Sequence, residues 1–353
     1  MTRKSGRPAK KRSGGKSRVS ASRRLRFALV GCGGMGQYHA RQLLGIPEVE
    51  VVALCDIVKS KCRHFCKEFF GPKGFKPAVY TDFYKMIARE PLDAVLLVTP
   101  HTLHYPHAKA ALQKGVHVLS EKPMVTNTDH ARELVALAET RDRLLAVAFQ
   151  APVSGEFAYI ADLIHSGALG KIELVDAHVA QQWKAFTQGT WRQDPKLSGG
   201  GQLYDSGAHM LNAMMWLVNS PVKRVFAIAD YGGTKVDINA TVSVWFENGC
   251  LGSLACLGNS TMRGDTSVTL FATQATIRTG IWGEKLEHFD KAGDKIPYPY
   301  VPYKTVPPER NFVDAILGRD TLRCPGRYGI LLAELMDAIY ASIETGRPVD
   351  VRR

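Results

Sequence analysis

Three short groups of residues in this chain have types and spacings that could do chemistry. Asp205 and His209 stand four apart within the stretch SGGGQLYDSGAHMLNAMMWLV, so on a helix they share one face. A histidine with its ordinary pKa near neutrality suits the removal of a proton from an alcohol. The carboxylate either orients that ring or binds a neighbouring hydroxyl. A lone histidine is usually a satisfied core residue, but a carboxylate one turn away favours a working pair. The second group is Glu121-Lys122-Pro123, directly after the apolar run Val116 to Leu119. A lysine at a strand end can donate to a hydroxyl or carbonyl oxygen, and its charge stabilises alkoxide character. Glu121 either hydrogen-bonds a cofactor or orients the lysine; the bland alternative is a surface charge pair at a turn. The third group is the turn Gly31-Cys32-Gly33-Gly34-Met35-Gly36, directly after the apolar run Leu25 to Val30.

The glycines at 31, 33 and 36 match a GxGxxG dinucleotide turn, giving a tight bend, close approach to a pyrophosphate and close helix packing. Gly31, Gly33, Gly34, Met35 and Gly36 are therefore candidate cofactor contacts, with the phosphates at the N-terminus of the following helix. Asp56 follows Gly36 by twenty residues and ends the second apolar run. A carboxylate there accepts hydrogen bonds from ribose hydroxyls and repels a 2′-phosphate, which favours NAD over NADP. Lys59 and Lys61 lie close enough to leave NADP open. Thr99-Pro100 closes a further strand at the ligand-binding edge, and Thr99, Pro100 and His104 join the candidate cofactor contacts. His104 either lines the nicotinamide pocket or caps the next helix. Three motifs in this order describe equipment for moving a hydride.

These residues need elements to hold them. From Leu25 to Phe149 the pattern predicts strands at 25–30, 50–55, 94–98, 116–119 and 144–149. Helices are predicted between them at 36–44, 59–70, 81–88, 104–114 and 128–140. Continuous apolar strands separated by helices imply a parallel sheet covered on both faces, and Asn127 lies in a capping sequence before the last of these helices. After Gln150 the pattern changes. A helix at 156–165 is followed by strands at 171–182, 222–229, 241–246, 251–257, 267–272 and 275–279. Asn248-Gly249 reads as a hairpin turn. The segment Pro297 to Pro308 carries five prolines and reads as an extended loop. Helices at 310–317 and 328–344 close the chain. The predicted fold class is α/β: a Rossmann doubly wound domain over 25–150, and an α/β domain with a large, mostly antiparallel open sheet over 151–353. Trp191 and Arg192 are candidates for a substrate-pocket wall in that second domain, or else a core tryptophan beside a surface arginine.

At 353 residues and 45% hydrophobic composition the chain has ample material for two cores. No run approaches the length needed to cross a bilayer, and the basic N-terminus lacks the apolar segment of a secretory signal. Arg23-Arg24 is followed at once by the first strand, which excludes a twin-arginine signal. The net charge of +13 resides mostly in residues 1–26, which hold eleven Lys and Arg and no acid. Residues 1–24 read as a disordered basic tail, giving at most weak polyanion contacts; Ser5-Gly6-Arg7-Pro8 resembles half of a minor-groove AT-hook. Seven scattered cysteines suit a reducing, cytoplasmic setting better than a disulfide framework. Cys55, Cys62, His64 and Cys66 cluster without the paired spacing of a zinc site, so no metal is expected. A nucleophile elbow for hydrolase chemistry is missing.

The same motifs resemble the Gfo/Idh/MocA family of NAD(P)-dependent oxidoreductases, named for glucose-fructose oxidoreductase, inositol dehydrogenase and a rhizopine catabolism protein. The resemblance runs from about Arg24 to Val351. Besides the motifs above it includes Thr190-Trp191-Arg192, Ser198-Gly199-Gly200-Gly201, Asn311 to Ile316, Ala338 to Ser342 and Thr345 to Val349. It implies Lys122 at the reacting centre, His209 as acid/base and Asp205 as its companion. Substrates would be sugars, inositols or related polyols, and the open sheet would make dimers or tetramers. Asn212 stands where many members have an aspartate, and Gln150-Ala151-Pro152-Val153 lacks an arginine often found there; both Asn212 and Gln150 could face substrate. The expected activity is hydride transfer between NAD and a secondary alcohol or ketone. An NAD-retaining glycosidase working by oxidation and elimination, and a non-catalytic dinucleotide-binding regulator with a DNA-contacting tail, are the rival readings.

Overall fold

The computed structural model describes residues 23–282, 286–299 and 302–352; the predicted basic tail lies almost wholly outside them. The apolar runs become a six-stranded parallel sheet. Its elements are β1 Leu25–Val30, α1 Gly34–Leu44, β2 Val49–Cys55, α2 Lys59–Phe65, β3 Ala78–Tyr80, α3 Phe83–Arg89, β4 Ala94–Leu97, α4 His101–Gln113, β5 His117–Ser120, α5 Thr128–Thr140 and β6 Leu145–Val147. The strand order is β3-β2-β1-β4-β5-β6. Chain direction across the sheet reverses between β1 and β4, and ligands bind at the carboxyl ends of such a switch point. The glycine turn after β1, Thr99 after β4 and Lys122 after β5 all emerge there. β4 and β6 are buried throughout, which is why they read as continuous apolar runs. Asp82 and Asn127 cap α3 and α5 by accepting from the Lys85 and His130 N–H groups.

Three details differ from the sequence pattern. β3 was not foreseen, because three residues at a sheet edge leave no periodic signal. The helix expected over 59–70 stops at Phe65 and continues as a π-turn, Cys66–Phe70, with Gly71 and Pro72 ending it. α4 begins at His101 and carries Pro106 inside it, so that turn lacks one backbone donor.

The rest of the chain, which supplies the second layer, contains α6 Gly155–His165, β7 Ile172–Ala180, α7 Trp183–Thr187, α8 Pro195–Ser198, α9 Ala208–Val218, β8 Val222–Asp230, β9 Asn239–Phe246, β10 Leu251–Leu257, β11 Asp265–Ala272, β12 Ala275–Thr279, β13 Glu287–Asp290, β14 Lys295–Ile296, α10 Pro308–Ile316, α11 Gly326–Thr345 and β15 Val349–Asp350. Its nine strands run β14-β13-β12-β11-β7-β10-β9-β8-β15. All neighbours are antiparallel except β7 and β10. Alternate residues of β9 and β10 are buried under the helices while the others face outward. Gly249, at φ +84°, makes the β9–β10 turn that Asn248-Gly249 announced.

The chain then returns to the first sheet. Phe312 and Val313 of α10 are buried with Phe27, Leu29 and Val51, and the Phe27 and Phe312 rings meet edge-on at 6.3 Å. Arg310 pairs with Glu48 at 2.8 Å, and Val147 donates to the Cys324 carbonyl. A division at residue 150 therefore describes the order of the chain, but α10 packs as part of the dinucleotide-binding layer.

Candidate active site

The glycine turn is shaped by close backbone approach. Gly31 has φ +100°, and a Cβ there would run into the Val98 carbonyl of the neighbouring strand end. A Cβ on Gly36 would strike the Gly31 carbonyl oxygen, so α1 starts only because both are glycine. A Cβ on Gly33 or Gly34 would meet nothing within 4 Å. Two glycines thus weld turn to helix, and two face open space at an N-terminus with no side-chain cap. That cradle fits a pyrophosphate. Asp56 accepts from the Cys32 N–H at 2.9 Å and the Val58 N–H at 2.8 Å, tying the end of β2 to the turn. Cys32, Gly33, Gly34, Gln37, Ser60, Lys61 and Phe65 line the adjoining groove; Met35 is 38% exposed beside it. Gly36→Ala is expected to weaken NAD binding at least about ten-fold, since the turn must open to admit a methyl group; titration calorimetry checks this.

Lys122 crosses from the first layer to the second. Its Nζ donates to the Asp205 backbone carbonyl at 2.8 Å and to Asp205 Oδ1 at 2.7 Å. The other carboxylate oxygen accepts from Trp183 Nε1 at 2.7 Å and Arg192 Nε at 2.9 Å. Burial pushes the Asp205 pKa up, but the Lys122 and Arg192 charges overcome this and hold it well below the usual carboxylate range. The Arg192 guanidinium lies over the Trp191 ring, 4.6 Å from its centre, and the Trp191 ring meets His101 edge-on at 4.8 Å. Both wall candidates therefore reach the site. His101 sits with Nε2 4.0 Å from Asp205 Oδ1 and Nδ1 2.9 Å from the Ser198 carbonyl. Burial pulls its pKa down to about 3, so the ring is neutral.

Asp205 and His209 do not share a regular helical turn. Leu203–Gly207 forms a π-turn ahead of α9, and in that wider turn residues four apart no longer stack. Asp205 turns to Lys122, Trp183 and Arg192, and no hydrogen bond joins it to His209 among the described residues. The His209 ring lies edge-on to Phe149 at 5.8 Å and Trp282 at 5.9 Å. Burial and then the Lys122 charge pull its pKa down to about 3. The His209 ring is therefore neutral.

His104 lies between the loops that follow β4 and β5. It is wholly buried, with Nδ1 2.7 Å from the Pro123 carbonyl and Nε2 2.8 Å from the Thr99 carbonyl. It braces the loops after β4 and β5 and neither opens onto a pocket nor caps α4. Thr99 and Pro100 are partly exposed at the cofactor edge, and Gln150 stands partly exposed before the turn Ala151–Val153. Sequence reasoning missed Trp183 and Asp237. Asp237, buried in the β8–β9 loop, accepts from the Gly201 and Leu203 N–H groups at 2.7 and 2.8 Å. A Cβ on Gly201 would strike the Asp237 backbone, one on Gly200 the Tyr340 and Tyr204 rings and one on Gly199 the Thr126 side chain, which explains the Gly199-Gly200-Gly201 run. No group of three metal-ligating side chains occurs among the described residues, and none of their helices is long and apolar enough to cross a membrane.

A dinucleotide cradle joined across a seam to a lysine, a carboxylate and a neutral histidine defines a nicotinamide-dependent oxidoreductase. Residues 25–149 match the "Oxidoreductase family, NAD-binding Rossmann fold" profile and residues 157–278 the "GFO/IDH/MocA C-terminal domain". The chain belongs to the Gfo/Idh/MocA oxidoreductase family. It is 25% identical to the D-glucoside 3-dehydrogenase of Escherichia coli (strain K12), over 93% of this chain and 97% of that protein. It is 22% identical to the D-xylose 1-dehydrogenase [NADP(+)] of Haloarcula marismortui, over 91% of each. Among solved structures, the WlbA dehydrogenase from Bordetella pertussis in complex with NADH and UDP-GlcNAcA aligns at TM-score 0.82 and 22% identity, covering 94% of this chain and 99% of that one. The protein is an NAD(P)-dependent dehydrogenase by family, with the fold of these relatives.

Proposed function

We propose that the protein oxidises a secondary alcohol of a sugar, inositol or related polyol with NAD, reversibly, at the seam between its two layers. The observation that carries this reading is the Lys122 ammonium held on the Asp205 carboxylate at 2.7 Å, facing the carboxyl edge of the first sheet. The bound nicotinamide supplies the hydride acceptor. Lys122 donates to the reacting oxygen and stabilises its negative character as the carbon loses hydride. His209, neutral at working pH, takes the hydroxyl proton. Asp205, itself held by Arg192 and Trp183, holds Lys122 in place, and Trp191 with Arg192 forms one wall for the ring; Gln150 closes another side. Dehydrogenases among the relatives that act on a glucoside, on xylose and on inositol support this substrate class. A reaction on a polar metabolite, with no membrane-length helix described, fits a cytoplasmic enzyme, and the outward side of the nine-stranded sheet suits a homodimer or homotetramer.

The test is NADH formation from NAD with inositols, aldoses, glycosides and sugar nucleotides, each hit repeated with NADP. Reduction of NAD by one class, faster than NADP because Asp56 repels a 2′-phosphate, is the expected result. Sugar release without net NADH would replace this reading with the NAD-retaining glycosidase, and cofactor binding without either would favour the regulator.

A further inference from the structure

Behind the glycine turn lies a charged group outside both the nucleotide cradle and the Lys122–Asp205 contact. His39 of α1 is 1% exposed, and both its ring nitrogens face carboxylates. Nε2 lies 2.9 Å from Glu121 Oε1, and Nδ1 makes a short bond to Glu309 Oε1. A neutral imidazole has one N–H, so a ring between two carboxylates needs both nitrogens protonated. Burial works against the charged ring, but the Glu121 and Glu309 carboxylates hold its pKa up at about 9. Burial likewise raises Glu121, while His39 and then Lys122 hold it down at about 2. Tyr38 stands beside both carboxylates and packs edge-on to His39 at 5.4 Å.

The three residues come from distant parts of the chain: α1, the loop after β5, and the first turn of α10. Glu309 is 0% exposed, and its Oε2 has no hydrogen-bond partner among the described residues. A buried carboxylate with one oxygen satisfied is a costly way to hold a helix. What the arrangement does achieve is orientation. Glu121 has one oxygen fixed on His39, and its other accepts the backbone N–H of Lys122 at 3.1 Å. Glu121 therefore cannot turn without moving the residue that carries the reacting ammonium.

We propose that His39 and Glu309 are positioning residues for hydride transfer, the imidazolium clamped by Glu309 fixing Glu121 and, through it, the Lys122 backbone at the carboxyl edge of the first sheet. The inference rests on the assignment of Lys122 to the reacting centre. α10 is then part of the catalytic frame although it follows the second layer in sequence.

The experiment has a spectroscopic arm and a kinetic arm. In protein carrying 15N-labelled histidine, the His39 ring is identified by the signals lost in His39→Gln. Both its nitrogens should remain protonated at about pH 8, above the ordinary imidazole value, and one proton should be lost in Glu309→Gln. The sign of the stability effect follows from a raised folded-state pKa. The contribution is complete below 6.5 and disappears as pH rises through about 9, so the thermal midpoint should fall across that window in the native chain and less in Glu309→Gln. With an active polyol, Glu309→Gln should lower kcat about ten-fold or more with little change in KM. Combined with Glu121→Gln it should cost no more than Glu121→Gln alone, because residues acting through one another are not additive. A singly protonated His39 at pH 8, or losses that simply add, would overturn the proposal. The ring spectrum needs no substrate, so it stands even where Lys122→Ala retains turnover and the site assignment itself fails.

Discussion

Lys122→Ala should lower kcat by about a thousand-fold or more while NAD affinity changes only a few-fold. The lysine is the cation that reaches across the seam, and its Nζ makes two short contacts with Asp205. Removing it takes away the donor for the developing alkoxide and deprives a buried carboxylate of its nearest charge. The dinucleotide turn would be little affected, because Gly31 is set by its contact with Val98 and Gly36 by its contact with Gly31. Asp205 would keep Arg192 and Trp183, so folding should survive. Single-turnover kinetics with NAD and an active polyol, beside calorimetric NAD binding, measures both quantities. Turnover within a few-fold of the native chain would remove Lys122 from the reaction. Loss of NAD binding in parallel would mean that the lysine serves the cofactor.

The first sheet could be read from the chain because its signals are local. Apolar runs of four to seven residues, glycines at fixed spacing and an acid at the end of β2 each report on their own neighbourhood. Lys122 and Asp205 could be named for the same reason, by type and motif. Their pairing could not, since it depends on how two layers meet 83 residues apart. The π-turn at Leu203–Gly207 was equally hidden. An i, i+4 spacing signals one helical face only while the helix is regular, and here Gly201 is drawn onto Asp237 by a contact no local pattern encodes. His39 gave no signal in the sequence, because its partner Glu309 lies 270 residues away. The return of α10 to the first sheet was missed on similar grounds: Phe312 and Val313 give an apolar face but do not say which layer it meets.

The electrostatics of the seam depend on equal numbers of opposite charges. His39, Lys122 and Arg192 face Glu121, Glu309 and Asp205, while His101 and His209 are kept neutral by burial. A site built this way can bind a neutral polyol without first shedding a proton. It also places the uncharged ring of His209 beside a cation that discourages a second positive charge. In the proposed reaction the ring would become a useful base chiefly when a hydroxyl is polarised by Lys122, which would tie proton removal to hydride departure.

Asp205→Asn tests that arrangement most directly, and it should cost about a hundred-fold or more in kcat. An amide in the same volume retains a partner for Trp183 Nε1 or Lys122 but removes the charge that Lys122 and Arg192 share. The two cations would then face each other across a neutral group, and Lys122 would lose its fixed direction. If Asp205 acts through Lys122, the double variant Lys122→Met with Asp205→Asn should be no slower than Lys122→Met alone. If it acted through His209, as the four-residue spacing had suggested, the shared loss would appear with His209→Asn instead. Measuring kcat/KM for both cycles separates the two roles, because the carboxylate makes its short contacts with Lys122 while the histidine ring rests against Phe149 and Trp282. Additivity with Lys122 and coupling to His209 would reverse the assignment and make the π-turn incidental to catalysis.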